Sequence, residues 1–428
     1  MKYNTQNAKI KSITEKTLIV GIDVGSETHF ARAFDWRNYE YSKKPLEFSN
    51  NEAGFVTFKA WVEDIVEKNG KDVVIPGMES TGHYWFNLGA YLQDNGMKPV
   101  HVNPHHVKKS KELDDNNPNK NDRKDPKTIA ALVNEGRFSY PYIPTGIYAE
   151  IRSFSNLRLQ TQEEITRIKN RIARWFSIYF PEIKDVYKNP DSVSGLMILK
   201  VAPLPQDIVK LGADGINKIW RDAKLKGAGP KRAKTLLAAA EHSIGSQEAP
   251  ESARIELKNL LNDYEIYRKR EEELMGMIKE KLSEIPYIDK LLEIKGIGWK
   301  TVSGFIAEVG DITRFDDPKQ LQKLAGYAIV ECSSGKHKGE SHISYRGRKR
   351  LRYVLYEAAI SLIARNEEFK EVHRYYRTRK ENPLKKMQSV IAVACKAIRI
   401  FYTILTKGVT DDGTKMLQDI KRSQILAA

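Results

Sequence analysis

The first 140 residues alternate short apolar runs with amphipathic stretches, and this alternation restricts the fold more than any other feature. Residues 17–35 open with a continuous apolar run. A Gly25-Ser26 turn then leads into an alternating run, His29–Phe34. That pattern predicts a β-hairpin whose first strand is buried. Phe55, Phe58, Trp61, Val62, Ile65 and Val66 recur at helical spacing, so a helix is expected over 52–68. Val73–Pro76 reads as a short buried strand, Tyr84–Asp94 as a helix ended by Gly96, and Met97–Val102 as a strand. Asp125–Gly136 reads as a helix with Pro126 in its first turn. Strands alternating with helices imply an α/β sheet with helices packed on it.

From about 147 the pattern changes. Two long polar amphipathic stretches, 147–195 and 251–287, flank helical fragments around Lys226-Gly227-Ala228-Gly229-Pro230. They predict a helical, coiled-coil-like arm with an insertion. A second compact unit is expected over 288–362, basic helices over 363–407, and a frayed tail in the last twenty residues. The chain therefore divides into an α/β domain (1–146), a helical arm (147–287) and a mostly helical C-terminal domain (288–428). No internal repeat is convincing, although the two glycine-containing turns of the helical half are similar in kind.

The 428 residues carry 71 Lys and Arg against 55 Asp and Glu, a net charge of +16 on an otherwise ordinary globular composition. A surplus of this size favours a polyanionic partner, a nucleic acid or an anionic membrane. The apolar run Val390–Leu405 is interrupted by Lys396 and Arg399 and is shorter than the roughly 20 residues a membrane span needs. The first residues, MKYNTQNAKIKS, lack the apolar core of a signal peptide. The only cysteines are Cys332 and Cys395, and no CxxC or HxxxH spacing offers a zinc site. These features point to a cytoplasmic protein that binds nucleic acid.

Acidic residues fall where a strand or helix ends. Asp23 closes the first apolar strand and Glu79 closes the next, within GMESTGHYW. Asp122 and Asp125 lie three apart at a helix start, which puts both on one helical face. Four carboxylates from three elements can converge on one sheet edge. Such an oxygen-only set suits Mg²⁺ or Mn²⁺, and a pair of ions suits in-line displacement at phosphorus. The alternative is a turn residue at Asp23 and helix capping at Asp122 and Asp125. Between the acids, residues 105–127 hold seven Lys and Arg against five Asp and Glu. Lys108, Lys109, Arg123 and Lys124 of this segment are candidate backbone contacts, or solvated loop charges. His105 and His106 are adjacent, a poor arrangement for one metal ion, and are left as loop or backbone-contact residues.

The run Ile294-Lys295-Gly296-Ile297-Gly298, followed by an amphipathic helix, has helix-hairpin-helix form. Gly296, Gly298 and Lys300 are candidate phosphate contacts, with a plain helical corner as the alternative. Further on, Glu331–Arg352 holds seven Lys and Arg against two Glu. Ser333, Ser334 and Gly335 begin this loop. A serine hydroxyl there can attack phosphorus if a base or metal takes its proton, with His337, His342 and the distant carboxylates as candidates; the alternative is that Ser-Ser-Gly is a plain turn. Lys336, Lys338, Arg346, Arg348, Lys349 and Arg350 are candidate nucleic-acid contacts.

The series GIDVGSETH, MESTGHYW, NDRKDPKTIA, IKGIGWKTVSGFIAEVGDITRF, LAGYA, SSGKHKG and ISYRGRKRLRYVLYEAA resembles the DEDD-type insertion-sequence transposases called the one-ten and eleven-eleven families. The resemblance runs nearly the whole chain in order. It implies a RuvC-like domain of RNase H fold, a coiled-coil arm and a C-terminal transposase domain with an essential serine. It assigns Asp23, Glu79, Asp122 and Asp125 as the four metal-binding acids. It picks Ser334 as the nucleophile for its glycine neighbour, with Ser333 as the alternative by spacing from ISYRG. Tyr345 stands where that family usually carries Lys. The implied partners are DNA, a structured bridge RNA and further copies of the chain in a dimer or tetramer. Two other readings stay open: a metal-dependent nuclease of the RNase H class that resembles a Holliday-junction resolvase, and a non-enzymatic architectural binder.

Overall fold

The computed structural model describes residues 6–42, 44–79, 82–114, 125–189, 192–330, 333–334, 337–338 and 341–425. The chain forms two compact units, residues 1–143 and 144–428.

In the first unit a short helix, α1 (Gln6–Lys11), precedes β1 (Thr17–Val24), β2 (Thr28–Phe34) and β3 (Leu46–Ser49). Then follow α2 (Glu52–Asn69), β4 (Val73–Glu79), α3 (Trp85–Asp94), β5 (Val100–Val102), α4 (Pro104–Asp114), α5 (Asp125–Asn134) and β6 (Phe138–Ser139). The six strands make one sheet in the order β3-β2-β1-β4-β5-β6. β1, β2 and β3 are antiparallel neighbours, β1, β4 and β5 are parallel, and β6 returns antiparallel to β5. β1 is buried on both faces over Leu18–Ile22, which is why that stretch is apolar without alternation. Leu18, Val20 and Ile22 pack with Phe55 and Phe58 of α2 and Leu88 of α3. Ile19 faces the other way, onto Ile129 and Val133 of α5. Asn51 caps α2 by accepting from the Gly54 amide at 2.9 Å, and Gly70 ends that helix with φ of 59°.

α5 sits unusually close to the sheet. Gly21 of β1 and Gly77 of β4 are register partners. A Cβ on Gly21 would lie 1.8 Å from the Pro126 carbonyl oxygen, and one on Gly77 2.6 Å from Val133 Cγ2. The paired glycines thus open a trough that receives the first turns of α5. α4 was expected as a loop. It forms a helix because Val107 is buried in the core beneath it while Lys108 and Lys109 are exposed.

The second unit is helical. It contains α6 (Gly146–Tyr179), α7 (Ile183–Val186), α8 (Val193–Val201), α9 (Pro205–Asp222), α10 (Pro230–Glu241), α11 (Pro250–Ser283), α12 (Ile288–Leu292), α13 (Trp299–Val309) and α14 (Pro318–Leu324). Four two-residue strands follow: β7 (Ile329–Val330), β8 (Ser333–Ser334), β9 (His337–Lys338) and β10 (His342–Ile343). The chain then runs through α15 (Lys349–Arg365), α16 (Glu367–Thr378), α17 (Lys386–Lys407) and α18 (Gly413–Ile425). α6 and α11 pack along each other and join two cores. Ile165, Ile172, Trp175, Leu257 and Leu260 share one core with Trp220 of α9 and Leu236 of α10. Ile151, Ile278 and Leu282 share the other with α13, α15 and α17.

Residues 288–362 and 363–407 share one core, in which Phe369, Val393 and Phe401 lie with Phe305 and Leu355. One expectation changes here. The last residues are not a frayed tail throughout. Met416 and Ile420, four apart on α18, bury one face in that core. α17 is long and apolar enough to cross a membrane on length and composition, and Val393, Ala394, Ala397, Ile398 and Phe401 bury its apolar face inside the unit.

The two glycine turns are one local structure used twice. Leu225-Lys226-Gly227-Ala228-Gly229 opens α10 as Ile294-Lys295-Gly296-Ile297-Gly298 opens α13. The first glycine has φ of 79° in one and 104° in the other, and the second is an extended N-cap in both. Ala233 and Val302, both buried, donate to that N-cap carbonyl at 3.0 and 3.1 Å.

Candidate active site and nucleic-acid contacts

The register Ile22↔Met78 sets Asp23 beside Glu79 at the C-terminal ends of two neighbouring parallel strands. Both lie two residues beyond the glycine pair, so by the period of the strand they share the α5 face of the sheet. Adjacent strands are about 4.8 Å apart. The glycine trough holds Asp125, the first residue of α5, buried against the same strand ends. Lys111 of α4 makes an ion pair with Asp125. Burial raises the Glu79 carboxyl above its ordinary range. The Lys111 charge opposes that rise and the Asp125 charge adds to it. Asp23, Glu79 and Asp125 are thus drawn to one end of the sheet, with Lys111 supplying a cation among them. Asp122, Arg123 and Lys124 lie outside the described residues. Among the described residues, no three His, Cys, Asp or Glu side chains are grouped to hold a metal ion.

Lys108 and Lys109 are exposed on α4, beside Lys111. Lys111 is the residue that sequence reasoning missed. Its signal was present, since it stands three residues after Lys108 and so one turn further along a helix, but that helix was not foreseen.

In the second unit the serines stand on a hairpin. β7 pairs with β10, and beyond them β8 pairs with β9 in the register Ser333↔Lys338 and Ser334↔His337. Ser334 is therefore the last strand residue before the turn. Gly335 and Lys336 lie outside the described residues. The hairpin is fixed at its root. Ser344 donates to the Ala328 carbonyl at 2.7 Å, Tyr345 to Gly326 at 3.2 Å and Arg348 to Leu324 at 2.7 Å. Tyr345 has φ of 53°, a conformation that a bulky residue adopts only where its surroundings impose it. Arg352 imposes it in part, donating to the Tyr345 carbonyl at 3.2 Å with its guanidinium 5.5 Å from the Tyr345 ring.

The other candidate contacts separate into two kinds. Gly298, Lys300, Arg346 and Lys349 are exposed. Gly296 is enclosed, with the Ser361 hydroxyl donating to its carbonyl at 2.7 Å. Arg348 and Arg350 both turn toward the buried Glu308.

Comparison with known proteins adds an independent line. A transposase family model of the DEDD type matches residues 20–181, and the family described as "Transposase IS116/IS110/IS902 family" matches residues 288–374. The 44.8 kDa protein of insertion element IS116 from Streptomyces clavuligerus is 22% identical over 90% of this chain and 94% of its own length. The pilin gene-inverting proteins of Moraxella bovis and Moraxella lacunata are each 30% identical, over 27% and 28% of this chain and 35% and 38% of their own lengths.

Proposed function

Because the chain belongs to the IS116/IS110/IS902 family of insertion-element transposases, we propose that it is a recombinase that cuts and rejoins DNA through a covalent serine intermediate. The Moraxella relatives, named for inverting a pilin gene, fit strand exchange rather than simple cleavage. We read the first unit as a RuvC-like RNase H fold, and the strand order with three antiparallel and two parallel neighbours supports that reading. The observation that carries the proposal is the convergence of Asp23, Glu79 and Asp125 on one sheet end.

That donor set is all oxygen, and its acids sit close enough for the Asp125 charge to disfavour ionisation of Glu79. Oxygen donors of this kind are what Mg²⁺ or Mn²⁺ takes, but among the described residues no three acids are grouped to hold an ion, so Asp23, Glu79, Asp125 and, as the fourth acid, Asp122 would have to close further to hold one. A bound divalent ion would polarise the phosphoryl oxygens of the scissile linkage. Lys111 holds Asp125 in place. Ser334, or Ser333 in its stead, attacks the phosphorus through its hydroxyl oxygen. The serine proton passes to a base, for which His337 and His342 on the same hairpin are candidates, and the O3′ of the broken strand leaves as a hydroxyl. A 3′-hydroxyl of the partner strand then attacks the phosphoserine, restoring the phosphodiester and the serine. Lys336, Lys338, Arg346 and Lys349 would neutralise the phosphate charge. The acids and the serine belong to different units, so they must meet on one linkage within a chain or between subunits of a dimer or tetramer. A structured bridge RNA would choose the sites.

Strand exchange on a plasmid carrying the element ends tests this. Ser334→Ala or Ser333→Ala should abolish exchange and the covalent protein–DNA species, and Asp23→Asn should abolish cleavage. If both serine variants still cleave in a metal-dependent way, a resolvase-like nuclease replaces the serine mechanism. Sequencing RNA that copurifies with the protein from cells holding the whole element tests the guide.

A further inference from the structure

Two buried carboxylates of the second unit each hold more cations than they neutralise. Glu308 of α13, 7% exposed, lies 3.9 Å from Arg152 of α6, 3.7 Å from Arg348 and 3.4 Å from Arg350 at the start of α15. Glu271 of α11, 5% exposed, lies 3.4 Å from Arg158 of α6, 3.6 Å from Lys300 of α13 and 3.7 Å from Arg268. The two groups form one seam. Burial lowers the Arg350 pKa, the Arg152 and Arg158 charges lower it further, and Glu308 and Glu163 oppose them. Arg350 also donates to Asn156 of α6.

The ion pairs in the seam are long. None closes into the short two-point fork that guanidinium and carboxylate prefer. Ser155 Oγ and Arg158 Nε, both on the α6 side, are buried without a hydrogen-bond partner among the described residues. Even counting Glu163 and Glu272, which pairs with Arg268 at 3.6 Å, cations outnumber carboxylates along this seam. Like charges gathered where water is partly excluded repel strongly unless an anion joins them. The outer cations remain reachable, with the side chains of Lys300, Arg268 and Arg350 exposed by 68%, 45% and 42%.

We propose that this seam, where α6 and α11 meet α13 and the start of α15, is a seat for the phosphate backbone of a nucleic-acid duplex. Arg268, Lys300 and Arg350 make the contacts. Glu271 and Glu308 are positioning residues that fix the inner guanidinium groups behind them. Guanidinium suits this task because its planar donors match phosphate oxygens. The proposal rests on the nucleic-acid reading above and adds to it a site whose α6 and α11 residues no sequence motif marked.

The test is fluorescence anisotropy of the full chain with a DNA duplex and with an RNA duplex, each titrated across about 50–200 mM salt. The Arg268→Gln/Lys300→Gln double variant should bind more weakly. Its plot of log affinity against log salt should be shallower by about two on the duplex that occupies the seat, since each lost phosphate contact removes about 0.9. Arg268→Lys with Lys300→Arg should restore the slope, which a purely structural role would not require. Should the double variant unfold, Lys300→Gln alone, on a mostly exposed side chain, should lower the slope by about one. A change on DNA alone, or on RNA alone, supports the seat and names its occupant. An unchanged slope on both duplexes overturns the seat and leaves the recombinase reading standing. Failure of the wild-type chain to bind either duplex overturns both.

Discussion

Gly21 is the position on which the acidic site depends most directly. Its missing side chain lets the first turn of α5 lie on β1 and carries Asp125 to the ends of β1 and β4. In Gly21→Ala the new Cβ would stand 1.8 Å from the Pro126 carbonyl oxygen, 2.8 Å from its carbon and 3.0 Å from the Ala130 nitrogen. All three are backbone atoms, so no rotamer change relieves the contact. The start of α5 must retreat by at least about 1.2 Å to reach even 3.0 Å. Overpacking of this kind costs about 1–3 kcal/mol, and a backbone clash belongs at the upper end. At about 3 °C per kcal/mol for a unit of this size, the first unit should melt roughly 9 °C lower. Gly77→Ala is the matched control. Its Cβ would meet the Val133 methyl at 2.6 Å, a side chain that can turn aside, so a loss of only about 1 kcal/mol is expected. Thermal unfolding followed by circular dichroism compares the two, and strand exchange below both melting points reads the displacement of Asp125. If Gly21→Ala melts with Gly77→Ala and exchanges strands like the wild type, the glycine trough does not position the site.

Lys111→Met removes the cation beside the buried Asp125. Breaking a buried pair costs about 3–5 kcal/mol, and the part-exposed lysine reduces that to roughly 1–2, readable as a lower urea midpoint. His101 is buried with its pKa lowered by desolvation to about 4. Its folded pKa lies below the unfolded one, so its share of stability is complete above about pH 6.5 and is lost as pH falls toward 4. The whole shift is worth up to roughly 3 kcal/mol. His101→Leu should flatten the urea-midpoint profile over that window, and an unchanged profile would mean that folding does not shift the His101 pKa. Met416→Ala should cost about 2 kcal/mol and loosen α18, seen as faster amide exchange over 413–425, whereas a tail without packing would show no change.

Much of the first unit was legible because its signals are local. A doubly buried strand reads as an unbroken apolar run, as in β1, and an acid at the end of such a run is visible on inspection, as with Asp23 and Glu79. α4 was hidden because, among its residues with described side chains, Val107 alone is buried, in a segment rich in charge. α18 was hidden because, among its described side chains, only Met416 and Ile420, with Leu417 partly buried beside them, carry its packing. Glu271 and Glu308 read as ordinary surface glutamates, since nothing near them in sequence shows that Arg152, Arg158 and Arg348 come from other helices to meet them. The likeness of the Gly227 and Gly296 turns was visible as composition. That they share backbone angles and the same buried position after the N-cap became evident only from the fold.

α6 and α11 are each 34 residues long, so each extends about 50 Å. Because they run between the two cores of the second unit, that pair acts as a lever. A tilt of about 5° at the Ile151 end carries the Trp175 end, about 36 Å away along the helix, through roughly 3 Å, about the length of a hydrogen bond. Force applied to one core is therefore delivered, amplified in distance, to the other.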